Sequence, residues 1–96
     1  MKIQELQEMS IKAIKDRCSR LGIERTEETM MIHFMEEFGE LAKQIMNKKL
    51  KKKEIDLKNV AEELSDCFIL LFNLADHFNV DLKKSLIEKI EDVNKK

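Results

Sequence analysis

The sequence predicts an all-α, four-helix bundle-like fold, on three observations. Its 96 residues include no proline and two glycines, so little in the chain interrupts helical backbone. Charged residues make up 39% and hydrophobic residues 43%, and the apolar ones recur at spacings of three and four, the period of an amphipathic helix. There is no tryptophan or tyrosine, and nothing in the composition favours a sheet.

The first helix is expected from about Ile3 to Leu21. Ile3, Leu6, Met9/Ser10, Ala13/Ile14 and Arg17/Cys18 keep the helical period, and Gly22 is placed to end it. Thr26 is the expected N-cap of a second helix, with Glu27 and Glu28 in the first turn, where the helix dipole favours acids. That helix should reach about Lys48. The run Lys48-Lys49-Leu50-Lys51-Lys52-Lys53-Glu54-Ile55-Asp56 follows, either as a solvated connection or as a lid of lysines able to reach anionic oxygen atoms. Asp56 should cap a third helix, Leu57 to about Phe78, which is the most apolar in the chain and so the expected centre of the bundle. Asn79 suits the turn that follows. Asp81 should cap a last helix, Leu82 to about Val93, ending in Asn94-Lys95-Lys96. No repeat, linker or low-complexity segment divides the chain, so residues 1–96 are read as one domain, with the N-terminal helix at 3–21. A core built from so few residues is thin, which makes self-association the default expectation.

Eighteen basic residues against 19 acidic ones give a net charge of −1, too balanced a field to argue for nucleic acid or an anionic membrane. The longest purely apolar run, Phe68 to Phe72, is too short to cross a bilayer, and the mixed N-terminus lacks a signal-peptide core. The expected location is cytoplasmic, without membrane attachment. Cys18 and Cys67 fall on separate helices, and Cys67 lies among leucines and phenylalanines, where a reduced thiol acts as a small hydrophobe. Two cysteines alone make neither a structural disulfide framework nor a zinc site.

Two acidic clusters stand out. In Glu36-Glu37-Phe38-Gly39-Glu40, Glu37 and Glu40 lie three apart and share a helix face, beside an apolar stripe of Phe34, Phe38, Leu41 and Ile45. In Glu62-Glu63-Leu64-Ser65-Asp66 the spacing recurs, and Glu63 falls inside the apolar arc between Leu70 and Leu74, with Asp66 roughly 60° to one side. A buried ionised acid must be paired, hydrogen-bonded, metal-bound or protonated, and four facing carboxylates repel one another unless a cation intervenes. Oxygen-only donors select a hard ion, Mg²⁺ with Mn²⁺ as substitute, and Mg²⁺ commonly completes its coordination with substrate phosphates. The competing reading makes these acids solvated residues or salt-bridge partners for Lys43 and the lysine run. His33, one turn before Glu37, is read either as a partner of a carboxylate or substrate oxygen or as a packed helix-edge residue. Met30, Met31, Met35 and Met46 are assigned to the core or a subunit interface. Phe34, Phe38, Phe68, Phe72 and Phe78 are assigned chiefly to the core, and Asp76 and His77 to the exposed end of the third helix.

Glu36-Glu37-Phe38-Gly39-Glu40, 22 intervening residues and Glu63-Leu64-Ser65-Asp66 together resemble the EExxE and ExxD signature of the MazG-like all-α nucleoside triphosphate pyrophosphohydrolases. The resemblance covers about residues 26–96 and takes in Asn79-Val80-Asp81-Leu82 and the tail with Glu88-Lys89 and Asn94. It implies a MazG-type fold that oligomerises through its helices as a homodimer or homotetramer, with pockets near the subunit interfaces. It further implies hydrolysis of an NTP or dNTP to the monophosphate and pyrophosphate by water attack at the α-phosphorus, with Mg²⁺ held by Glu37, Glu40, Glu63 and Asp66. Glu36 would complete the catalytic set as an orienting residue or general base, while Lys89, Asn94 and His33 would face the substrate. Lys95 stands near where many relatives carry an arginine, and for stacking on a base this chain offers only phenylalanines. The alternatives are a phosphoribosyl-ATP pyrophosphohydrolase-like enzyme and a non-catalytic helical interaction module. A di-iron bundle is disfavoured, because Met30 and Leu74 stand where Glu-x-x-His motifs ending at His33 and His77 would need glutamates.

Overall fold

The computed structural model describes residues 1–51 and 54–96. Its helices are α1 (Ile3–Leu21), α2 (Glu27–Lys51), α3 (Leu57–His77) and α4 (Leu82–Asn94), and no strand occurs among the described residues. Each boundary has a local cause. Gly22, at φ 66°, takes the left-handed conformation that closes α1, and the Ile23 N–H donates back to the Cys18 carbonyl at 2.9 Å. At the start of α2, Thr26 and Thr29 cap reciprocally: the Thr29 N–H donates to Thr26 Oγ1 at 3.2 Å and the Thr26 N–H to Thr29 Oγ1 at 3.0 Å. Asp56 Oδ1 accepts from the Lys58 and Asn59 N–H groups at the head of α3, and Asp81 Oδ1 accepts from the Lys84 N–H at the head of α4. Asn79, at φ 55°, turns the chain between α3 and α4.

The basic stretch departs from expectation. Lys48, Lys49 and Lys51 belong to the last turn of α2, where their charges complement the helix dipole, so this part is helix and not a loose lid. Lys52 and Lys53, the rest of the expected lid, lie outside the described residues.

As expected for the most apolar helix, α3 is central, packing against both α2 and α1. Ile14, Met30, Leu41, Cys67 and Leu70 form the buried apolar core, a small one for the length of the chain. Because α2 is covered on one side only, its inward line is narrow: Met30 and Leu41 are buried and Phe34, Glu37 and Gln44 half-buried between and beyond them. Phe38 and Ile45 fall on the far side and are 55% and 51% exposed, so the expected stripe is rotated toward Glu37. None of the five phenylalanines is fully buried, contrary to their assignment to the core, and of the four methionines assigned to core or interface only Met30 is buried. α4 buries no residue, leaving Leu86, Ile87, Ile90 and Val93 open to solvent. No helix among the described residues is long and apolar enough to cross a membrane.

One polar group lies at the centre of this apolar packing. Asn73 of α3 is completely buried, and its side-chain amide donates to the Ser10 carbonyl of α1 at 3.1 Å and the Ile69 carbonyl at 2.8 Å. Its Oδ1 accepts from Arg25 Nε at 3.0 Å, while the Arg25 guanidinium also bonds the Asn73 carbonyl at 3.2 Å and Asp76 Oδ2 at 2.9 Å. The amide is thus satisfied as burial requires, and it ties α1, α3 and the α1–α2 connection together. Asp76 is consequently half-buried and paired, not at a free exposed end, and His77 Nε2 lies 3.8 Å from Glu27 Oε2.

Candidate active site

Helical periodicity turns Glu37 and Glu63 inward from facing helices. Glu37 lies on the line of α2 that packs against α3, and Glu63 lies on the line of α3 that continues through Cys67 and Leu70. Each is half-buried, whereas Glu40 and Asp66, one turn on, are exposed at the rim. The four carboxylates share one electrostatic environment. Burial raises the Glu37 carboxyl above its ordinary range, and the charge of Asp66, a hydrogen bond shared with it and the charge of Glu40 raise it further, against the opposing influence of His33. Glu63 is likewise raised, first by desolvation and then by Glu40, Asp66 and Glu62. Cys67 lies beneath the cluster, and burial with the charges of Glu37, Asp66 and Glu63 pushes its thiol up, so it stays protonated and unreactive.

Glu63 Oε2 is shielded from solvent and has no hydrogen-bond partner. A carboxylate oxygen so placed, among three other acids, is an acceptor without a cation or donor. Among the described residues no group of three or more His, Cys, Asp or Glu side chains stands close enough to hold a metal ion, so the carboxylates border one another without closing into a cage. Their chemistry nonetheless fits a hard divalent ion, through oxygen donors, mutual repulsion and an unsatisfied inward lone pair.

The remaining residues singled out in the sequence divide into two groups. His33 joins the cluster, with Nε2 at 3.5 Å from Glu37 Oε1. Glu36 faces away from Glu63 and Asp66 and lines a cavity between α1 and α2, together with His33, Arg17 and Cys18. Lys89 and Asn94 are not brought to the carboxylates. They sit on α4, Lys89 Nζ lies 3.9 Å from Asp92 Oδ2 of the same helix, and neither residue perturbs Glu37 or Glu63. Two features were not foreseen, the Arg25–Asn73–Asp76 network and the α1–α2 cavity. Asn73 had a visible signal as the one polar residue in Leu70-Leu71-Phe72-Asn73-Leu74, whereas the cavity depends on how α1 and α2 each pack on α3 and leaves no trace in local sequence.

The fold and the site define an all-α protein in which two packed helices bring their acidic faces together. Residues 25–96 match the family model described as the MazG nucleotide pyrophosphohydrolase domain, and the chain belongs to this family. No curated protein and no solved structure is matched by the chain.

Proposed function

We propose that this member of the nucleotide pyrophosphohydrolase family is a Mg²⁺-dependent enzyme that hydrolyses a nucleoside triphosphate, ribo or deoxy, to the monophosphate and pyrophosphate. The observation that carries the reading is the shared electrostatic environment of Glu37, Glu40, Glu63 and Asp66 around the unpartnered Glu63 Oε2. These four would hold the ion, with Mn²⁺ as a substitute. When bound there, the ion supplies charge withdrawal from phosphate oxygens and a more acidic water for in-line attack at the α-phosphorus.

The chain's own side chains have separate tasks. Glu63 and Glu37, fixed on the packed faces of α3 and α2, present carboxylate oxygens from a partly desolvated wall, where their charge acts more strongly than in water. Glu40 and Asp66 complete the rim on the solvent side. His33, with Nε2 at 3.5 Å from Glu37 Oε1, would help hold that carboxylate in orientation. Glu36, on the cavity wall, acts on the substrate side. Lys89 and Asn94 would reach the polyphosphate only from α4 of a neighbouring copy, in a homodimer or homotetramer. The open apolar faces of α4 and of α2, including Leu86, Ile90, Met35 and Phe38, support such an assembly.

The test is incubation with standard and damaged nucleotides and with phosphoribosyl-ATP, each with Mg²⁺, followed by separation of monophosphate, diphosphate, pyrophosphate and orthophosphate. Monophosphate and pyrophosphate in equal amounts are expected. Release of orthophosphate with diphosphate would overturn the reaction class, turnover confined to phosphoribosyl-ATP would overturn the substrate class, and absence of metal-dependent products would leave the interaction-module reading.

A further inference from the structure

The cavity between α1 and α2 shares His33 and Glu36 with the chemistry above, and its position and lining give it a role. It measures about 350 Å³, within the range of small-molecule sites: room for a base with part of its sugar, too little for a nucleoside triphosphate. His33 lines it and also touches Glu37, so the cavity adjoins the carboxylates proposed to hold the phosphates. Ile14, Leu21, Met30 and Leu70 make its walls apolar, and the ring on its lining is the His33 imidazole, which stands beside Glu37; no phenylalanine contributes. A base seated there is gripped mainly between aliphatic side chains, and it is identified along its edge. α1 supplies Ile14, Arg17, Cys18 and Leu21 to this wall and lies outside residues 25–96, the part that matches the family, so the cavity depends on a segment outside the matched module.

The edge is set by two charged side chains on the lining, Glu36 and Arg17. Among the described residues neither is engaged in a salt bridge, so both are free to meet an occupant. An ionised carboxylate only accepts hydrogen bonds and a guanidinium only donates them. An occupant that meets both of these exposed rim charges turns N–H groups toward Glu36 and an acceptor toward Arg17, while Thr29 and His33 on the same lining can either donate or accept. Guanine does both, since its N1–H and 2-amino group form two adjacent donors that suit the two oxygens of one carboxylate, and O6 and N7 accept. Uracil and thymine flank their single N–H with carbonyls that repel a carboxylate. Adenine and cytosine place a bare ring nitrogen beside their amino group. We infer that the α1–α2 cavity is a base pocket for guanine-type nucleotides, with Glu36 and Arg17 as the specificity-determining pair. The inference rests on the nucleotide-hydrolase reading of the adjoining carboxylates and adds the substrate class to it.

The test compares kcat/KM for dGTP, dITP, dATP, dCTP and dTTP in the full chain with Mg²⁺. In parallel, it measures alkylation of Cys18, which lines the same cavity, by iodoacetamide with and without guanosine. dGTP should lead, and dITP, which lacks the 2-amino group, should fall by about 10- to 100-fold. Glu36→Gln should erase most of the difference between dGTP and dITP, Arg17→Met should lower dGTP turnover through KM, and guanosine should slow Cys18 alkylation where thymidine does not. Far-UV circular dichroism establishes that each variant is folded, and the substitution that retains native helicity decides. Turnover of all five triphosphates at equal kcat/KM, or a dGTP preference unchanged in the folded variants, overturns the base pocket while leaving the hydrolase standing. Absence of turnover with guanosine still protecting Cys18 overturns the hydrolase and keeps the pocket, and absence of both overturns both.

Discussion

Replacing Asn73 by alanine should bring the chain close to unfolding, because position 73 is the buried end of the Arg25–Asp76 pair. The side chain makes three hydrogen bonds: from Arg25 Nε, and to the carbonyls of Ser10 and Ile69. A buried neutral bond contributes about 1 kcal/mol and one to a charged group about 1.5–3 kcal/mol, so the three together contribute roughly 3–5 kcal/mol. Some of this is retained in the variant. The guanidinium of Arg25 keeps the main-chain carbonyl of residue 73 at 3.2 Å and Asp76 at 2.9 Å, and alanine has the better helix propensity by about half a kcal/mol. A net loss of about 3 kcal/mol follows, and for a domain of this size that lowers Tm by about 12–24 °C. Asn73→Asp is the informative companion, because it keeps an oxygen for Arg25 but faces the Ser10 and Ile69 carbonyls with a carboxylate, and should be at least as damaging. Thermal melts by circular dichroism in chelator, supported by urea titration, measure both. A Tm within about 3 °C of the parent for Asn73→Ala would refute the assignment of this network as the tie between α1 and α3.

Four further outcomes are expected. Glu63→Gln should raise the Tm of the metal-free chain, since it removes a raised, desolvated carboxylate, while lowering pyrophosphate release by at least about 100-fold; a loss of both would mean that Glu63 is structural. Mg²⁺ should raise Tm in the parent and raise it less in Glu40→Gln and Asp66→Asn, and identical melting with Mg²⁺ and with chelator would count against a metal at these side chains. The raised Glu37 and Glu63 carboxyls mean that the folded chain binds more protons than the unfolded one just above the ordinary carboxylate range, so metal-free stability should increase as pH falls from neutral through that window. Urea midpoints at about pH 7 and pH 5.5 read this slope, which Glu37→Gln should flatten. Light scattering should report a dimer or tetramer, converted toward monomer by Ile90→Glu on the open face of α4; a monomeric parent would exclude assembly through that helix.

Much of the fold was legible because its boundaries are local. Gly22, Thr26, Asp56, Asn79 and Asp81 each act within a few residues of themselves, and each does in the structure what its chemistry suggested. The end of α2 was placed three residues early because a lysine run looks the same as solvated coil and as a helix C-terminus, and only dipole complementarity distinguishes them. The two acidic faces were legible from spacing, since Glu37 and Glu63 must face whatever Leu41 and Leu70 face. What the aromatic residues bury was not, because a phenylalanine at helical spacing is apolar whether its neighbour is the core or water. Phe38 and Ile45 required knowledge of which side of α2 is covered. The position of α4, and with it of Lys89 and Asn94, could not be read from periodicity, because the helix buries no residue that would fix a face.

The central position of α3 has a consequence for how freely this chain can drift. The same helix carries Glu63 of the proposed site and, ten residues further on, Asn73, the knot of the polar network, so scaffold and proposed site draw on one set of inward positions. Most proteins keep some distance between the two and can explore one while holding the other. Here a lineage that changes side chains along α3 must do so while keeping the helix seated against α1 and α2.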